Sequence, residues 1–294
     1  MASCAACLVL PTGATTFMTY SASRTIEFTQ RDTGAPQSTR AYLELDAMEY
    51  RDPGDPDNPT PTPIVIGAGT NQVYTPGTGA SPVVLNVEDG FDSAGASARI
   101  DLGPGTSVAD FEAAYGTRPY TFEMTGGQGN LRMRSFADEM PMLTNPASDW
   151  AGGAIQLLAD QGFTLTFDPF ASQFNDSTFN SNWSDTARIV LLDSNGSSIL
   201  NSGSLNAVTG SFLIPADTLA PGETVTGLLS FERFHEDISY DETSPSNIVN
   251  FNESVSTLLQ TSFEIRAVPE PSSSALLTLG ITMCCLFRSR LRGR

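Results

Sequence analysis

The stretch Phe231-Glu232-Arg233-Phe234-His235-Glu236-Asp237 gathers two glutamates, an aspartate and the chain's one histidine. Paired carboxylates can divide acid and base roles in glycoside hydrolysis when they stand about 5–9 Å apart. On a strand, Glu232 and Glu236 share a face but lie ~13 Å apart at ~3.3 Å per residue. The segment therefore reads first as a charged strand end beside a loop, with His235 at the surface. A secreted glycoside hydrolase-like enzyme is the alternative that this cluster keeps open.

A second group, Asp52, Asp55, Asp57 and Asn58, concentrates hard oxygen ligands in one loop, the chemistry that calcium favours. The loop lacks the D-x-D-x-D-G register and a bidentate acid downstream, and prolines stiffen it. A solvated acidic linker is the first reading and Ca2+ the alternative; no other cofactor is implied. Trp150 and Trp183 stand in the polar contexts Asp149-Trp150 and Asn182-Trp183-Ser184. They are candidate stacking platforms for a sugar ring, which would make the chain a carbohydrate-binding module. The other reading for both is a packed core or rim residue.

Composition closes several routes. The four cysteines are Cys4, Cys7, Cys284 and Cys285, so residues 8–283 hold no disulfide, thiolate nucleophile or cysteine-bound zinc. A single histidine rules out a Ser-His-Asp triad away from His235, and multi-histidine metal sites everywhere. The net charge is −18, and there is no lysine. Four of the 15 basic residues are Arg288, Arg290, Arg292 and Arg294; in residues 1–287, 11 arginines stand against 33 acids, a balance of −22. Such a body repels phosphate backbones, so nucleic acid is not a partner.

The elements that must position these groups are strands. Apolar residues recur with period two: Leu43, Leu45 and Ala47; Tyr120, Phe122 and Met124; Phe163, Leu165 and Phe167; Phe263, Ile265 and Ala267. Residues 187–192 (ARIVLL) run into Asp193-Ser194-Asn195-Gly196, a hairpin signal, before Ile199-Leu200. These read as antiparallel, half-buried strands. One helix is expected, because Ser107-Val108-Ala109-Asp110 is a capping-box pattern followed by Phe111 and Tyr115 at helical spacing. Residues 51–63 and 75–82 are too rich in Pro and Gly for packed elements.

The end of the chain, from Val268, is the most specific segment. Pro269-Glu270-Pro271 precedes a serine run, the uncharged stretch 275–287 (ALLTLGITMCCLF) and the arginine cluster. About 13 residues of helix span only ~20 Å, so the membrane-crossing segment must draw on the serines and on a snorkelling Arg288. Arginines on one side place that side in the cytoplasm and the body outside. In its three parts and their order this tail resembles the PEP-CTERM sorting signal of Gram-negative bacteria that make extracellular polysaccharide. The resemblance covers about the last 27 residues. It implies a partner, an exosortase, that cuts near Pro269-Glu270-Pro271 after transient residence in the inner membrane, with Arg288, Arg290, Arg292 and Arg294 as the cytoplasmic anchor. Nothing catalytic comes with it, because the class is defined by sorting.

A weaker resemblance lies in the body. Leu219-Ala220-Pro221-Gly222-Glu223-Thr224-Val225-Thr226 is similar to the L-x-P-x-T-x-Y corner of fibronectin type III modules, with Glu223 in place of Thr and Val225 in place of Tyr.

The expected fold is all-β, an antiparallel immunoglobulin-like or fibronectin-like sandwich with one short helix and a C-terminal hydrophobic helix. The expected divisions are a weak or truncated signal peptide (1–23), a β-rich region (24–149), a β-sandwich (150–267) and the sorting tail (268–294). The leader reading rests on an apolar patch broken by Pro11, with Ser21-Ala22-Ser23 as a small-residue cleavage site. The expected function is a non-enzymatic protein of the cell surface or of the polysaccharide matrix, exported and then processed, with polysaccharide as a partner.

Overall fold

The computed structural model describes residues 16–50, 71–75, 82–89, 93–116, 119–124, 127–132, 140–170, 183–205, 210–239 and 248–269. Alternating sequence becomes strand almost throughout. In chain order the elements are β1 (Thr16–Thr29), β2 (Gln37–Tyr50), β3 (Asn71–Tyr74), β4 (Val83–Val84), β5 (Asn86–Asp89), β6 (Ser93–Asp101), α1 (Val108–Tyr115), β7 (Pro119–Met124) and β8 (Gly127–Arg132). They continue with β9 (Trp150–Ala151), β10 (Ala154–Leu158), β11 (Phe163–Thr166), β12 (Trp183–Leu192), β13 (Ser198–Asn201), β14 (Ser211–Ile214), β15 (Thr224–Ser239) and β16 (Ile248–Val268).

One ten-stranded sheet dominates, in the order β13-β12-β15-β16-β1-β2-β6-β5, with β10 and β9 branching from β16. Strand β16 is its spine. One edge pairs antiparallel with β15 from Phe251 to Arg266. The other edge is shared: β1 pairs with it in parallel as far as Ser262, and β10 takes over in parallel from Glu264. The sheet is therefore mixed, which corrects the antiparallel expectation. The sequence signals were local hairpin signals, and those report antiparallel neighbours only. Strands from opposite ends of a chain, joined through everything between them, are free to run parallel. The strands of this sheet come from both 24–149 and 150–267, and their buried side chains form one cluster.

Parity assigns the two faces. Tyr20, Ala22, Arg24, Ile26 and Phe28 of β1 face inward with Ala41, Leu43, Leu45 and Ala47 of β2. Val255, Leu259, Phe263, Ile265 and Ala267 of β16 and Val225, Leu229 and Phe231 of β15 continue the same face. A second layer covers it. In the sheet β4-β3-β7-β8, Tyr120, Phe122 and Leu131 are fully buried, and the Phe122 ring lies 5.1 Å from that of Tyr20. The pair β11-β14 adds Leu165 and Ile214. Residues 83–89 cross from one layer to the other, β4 in the small sheet and β5 in the large one, with Leu85 buried at the crossing.

The helix forms where its cap lies. The Ser107 Oγ accepts from Asp110 N at 3.1 Å, and an Asp110 carboxylate oxygen accepts from Ser107 N at 3.2 Å and from its Oγ at 2.6 Å. These bonds hold Asp110 below the usual carboxylate value. Phe111 and Tyr115 are the buried stripe. The hairpin at Asp193 is also as expected: Gly196 has φ of 79°, and Asp193 Oδ1 accepts from Asn195 N and Ser197 N, each at 2.8 Å.

No helix among the described residues is long and apolar enough to cross a membrane. The expected C-terminal hydrophobic helix at 275–287 lies outside the described residues, as do Asp52, Asp55 and Asp57.

Candidate functional site

Two clusters of polar side chains stand out, one on each face of the large sheet. The inner one is ionic. Register places Asp185 of β12, Arg233 of β15, Thr257 of β16, Arg24 of β1 and Leu43 of β2 in one rung across five strands. Arg233, only 4% exposed, donates from Nε and Nη2 to the two Asp185 carboxylate oxygens at 2.8 and 3.0 Å. Its guanidinium also lies 5.5 Å from the Phe170 ring, which stacks on Phe231 at 4.9 Å. Arg24, fully buried, donates from Nη1 to Glu112 Oε1 at 3.3 Å and to the carbonyl of Tyr115 at 3.2 Å. The Tyr120 hydroxyl donates to that same carbonyl at 2.8 Å. A carbonyl at the end of α1, which has no partner within the helix, is thus satisfied from the sheet and the second layer.

Burial lowers the Arg24 pKa from its ordinary value, and Glu112 opposes that shift. Burial also raises the Tyr120 phenol. The arrangement locks layers together. Its side chains pair with one another across the layers, with Glu112 22% exposed at its rim.

The outer cluster is open. Thr29 and Ser262 are cross-strand partners whose hydroxyls lie 3.0 Å apart. Just beyond them β1 leaves β16: Gln30 N still donates to Ser262 O at 2.9 Å, and the Gln30 side chain pairs with Leu143. The Gln30 Nε2 donates to Leu143 O at 2.9 Å, and its Oε1 accepts from Leu143 N at 2.8 Å. The fork leaves a cavity of about 450 Å³ lined by Thr29, Arg31, Thr226, Ser262, Glu264 and the Gly152-Gly153 turn. A second cavity of about 400 Å³, sharing Thr29 and Arg31, extends over Asp32, Gln37 and Thr39. Gly152 and Gly153 have φ of 61° and 84°, so this wall is bare peptide. Arg31 is the cation common to both cavities and makes no ion pair among the described residues.

Polar rows extend from the groove across the same face. Gln260 Nε2 donates to Ser230 Oγ at 2.9 Å, and Ser256 Oγ donates to Ser23 Oγ at 2.8 Å. Farther along, Arg99 pairs with Glu44 at 2.8 Å and covers the Tyr42 ring at 3.6 Å.

The residues singled out in the sequence are scattered. Phe231–Asp237 lies within β15 rather than at a strand end, its backbone paired with β12 and β16. A charged stretch can continue a strand here because parity separates its faces, Glu232 exposed and Phe231 and Arg233 inside. His235 sits at a register position between Trp183 and Val255. Trp150 is half-buried and packs on the core, and its indole N–H is buried without an acceptor. Trp183 begins β12; its side chain, like those of His235, Glu236 and Asp237, lies outside the described residues. Pro269 follows β16 directly and is exposed. Glu270, Pro271, Arg288, Arg290, Arg292 and Arg294 lie outside the described residues. No group of three metal-ligating side chains occurs among the described residues.

Sequence reasoning missed the buried arginines and the groove. Arg233 had a readable signal, sharing parity with Val225, Leu229 and Phe231. The groove had none, because Thr29, Thr226 and Ser262 meet only through pairing of strands far apart in the chain.

Comparison with known proteins leaves the chain unassigned. No family model matches it, and no curated protein matches it. Among solved structures, one similar chain is the FN1–FN3 domains of chicken CNTN1, at 12% identity and a TM-score of 0.24, covering 85% of this chain and 66% of that one. Another is the BSP domain of a biofilm-associated protein, at 9% identity and a TM-score of 0.20, covering 86% of this chain and 67% of that one. Similarity that loose places no residue of this chain in a known role.

Proposed function

We propose that the chain is an exported, non-enzymatic protein of the surface or extracellular polysaccharide matrix of a Gram-negative bacterium. It is held transiently in the inner membrane by residues 275–294 and released by an exosortase that recognises Pro269-Glu270-Pro271. The observation that supports this is where the last described strand ends. Strand β16 runs 21 residues through the centre of the large sheet and ends at Val268, next to the motif. Its end is fixed on both sides, by Leu158 of β10 and by the corner at Gly222-Glu223. Gly222 N donates to Ala267 O at 2.8 Å, and Ala267 N donates to Glu223 O at 2.9 Å.

A cut at Pro269-Glu270-Pro271 would thus remove the apolar tail and leave every described strand intact. Pro269 is exposed, and proline at 269 and 271 is incompatible with a helix interior. The same corner buries Leu219 and Val225, as an immunoglobulin-like corner would, within a sheet that β15 and β16 share with β1 and β2. A non-enzymatic role fits Glu232 and Glu236 spread along one strand, and the buried rung fits a packing function.

The test is fractionation of the native host. Wild-type protein is expected at the surface or in the medium, and a variant with Pro269-Glu270-Pro271 changed to three alanines is expected in the inner membrane. Identical distribution of the two would overturn the proposal.

A further inference from the structure

We infer that the forked groove on the outer face is a binding site for a neutral polysaccharide segment, a reading that rests on the matrix role just proposed and names its partner. The lining is chemically mixed in a particular way. Thr29, Thr39, Thr226 and Ser262 line the groove with hydroxyls; Ser262 donates to Phe28 O at 3.0 Å and Thr39 to Glu27 O at 3.1 Å, so these two present acceptor lone pairs, while Gln37 offers an amide that both donates and accepts. Arg31 adds fixed donors, while Asp32 and Glu264 add acceptors. Ligands rich in hydroxyls, each of which donates and accepts, spaced a few ångströms apart, complement such a surface. Carbohydrates are that class.

Charge decides between neutral and acidic chains. The lining carries Arg31 against Asp32 and Glu264, with Arg266 2.9 Å from Glu264, in a protein of net charge −18, so a polyanion is repelled at long range. Shape agrees with an extended ligand. The two cavities, about 450 and 400 Å³, share Thr29 and Arg31 in their linings, and the Ser and Gln hydrogen-bonding pairs lie on the same face of the sheet. The site is also preformed. Strand exchange on β16 creates it, and Gln30 at the fork is bonded both to Ser262 O and to Leu143. Preorganisation of that kind lowers the entropy lost on binding.

The experiment is electrophoresis of the full chain, in mild detergent, through native gels containing a neutral glucan, galactomannan or xylan, with polygalacturonate as the acidic comparison. Wild type is expected to be retarded by at least one neutral polymer and not by polygalacturonate. Arg31→Ala combined with Gln37→Ala, both at exposed positions, is expected to weaken retardation about tenfold, as loss of a charge-assisted bond does. Leu213→Ala, exposed on β14 outside the large sheet, should behave as wild type; circular dichroism checks that every variant is folded. No retardation by any neutral polymer, preferential retardation by polygalacturonate, or equal retardation of the groove variant would each overturn the inference. Cell fractionation is independent of these gels, so failure of the surface assignment and failure of the groove are separately visible.

Discussion

Arg24 and Arg233 flank Thr257 in a single rung of the large sheet, each neutralised from its far side, by Glu112 at 3.3 Å and by Asp185 at 2.8 Å. The Arg233 charge is among the influences that depress the Arg24 pKa, after burial. Two cations this close in a core are tolerable only with both carboxylates in place. Asp185→Ala leaves Arg233 buried without its bidentate partner and is expected to cost about 3–5 kcal/mol in urea unfolding. Replacing both, Asp185→Leu with Arg233→Met, should recover most of that loss. A double variant no more stable than Asp185→Ala would show that the pair itself, and not the stranded charge, carries the energy.

Gly227 faces Phe263 across β15 and β16, and a Cβ at 227 would collide with the Phe263 ring. Gly227→Ala is expected to destabilise by about 1–3 kcal/mol through overpacking. Phe263→Leu in the same chain should restore part of it. Thermal melts of the single and double variants read this directly, and equal melting of Gly227→Ala and wild type would contradict the packing.

Strand β1 begins at Thr16, so a cut at Ser21-Ala22-Ser23 would remove its first half, with Tyr20 and Ala22, both fully buried. Deleting residues 1–15 should leave the cooperative melt intact. Deleting 1–23 is expected to abolish it, since truncating one large aromatic in a core already costs about 3–5 kcal/mol. Near-ultraviolet circular dichroism distinguishes the two, and a native spectrum from the 1–23 deletion would refute the role of β1.

Burial, and next the Glu44 carboxylate, raise Asp46 above its ordinary value, opposed by a hydrogen bond from Ser21 Oγ at 3.5 Å. A carboxylate whose folded pKa is raised costs stability while ionised, and that cost is present at pH 7. It fades as pH falls through the folded value and is gone below the unfolded one of about 3.9. Asp46→Asn should therefore melt higher than wild type at pH 7, with the difference vanishing below about pH 4. A gain that persists in acid would assign it to packing instead.

What could be read in the sequence was local. Leu43, Leu45 and Ala47, or Phe263, Ile265 and Ala267, announce their face because strand geometry has period two, and Ser107 with Asp110 announces the helix start because the cap is a four-residue bond pattern. The parallel pairing of Thr29 with Ser262 could not be read, since nothing near either residue encodes a partner 233 positions away. The fork, the groove and the buried rung all depend on that pairing. Gln30 and Asn145 illustrate the same limit. Both are buried polar side chains whose bonds, to Leu143 and to Thr164 and Thr166, substitute for strand pairing that no local pattern foretells.

The central claim, that the chain is sorted by its tail and released where β16 ends, is tested most directly by intact-mass spectrometry of the protein recovered from the surface or medium of its native host. The account predicts a C-terminus near Pro271, with Cys284, Cys285 and the four terminal arginines gone. A surface or medium form that still carries Arg294 would contradict it and make the tail a permanent part of the protein.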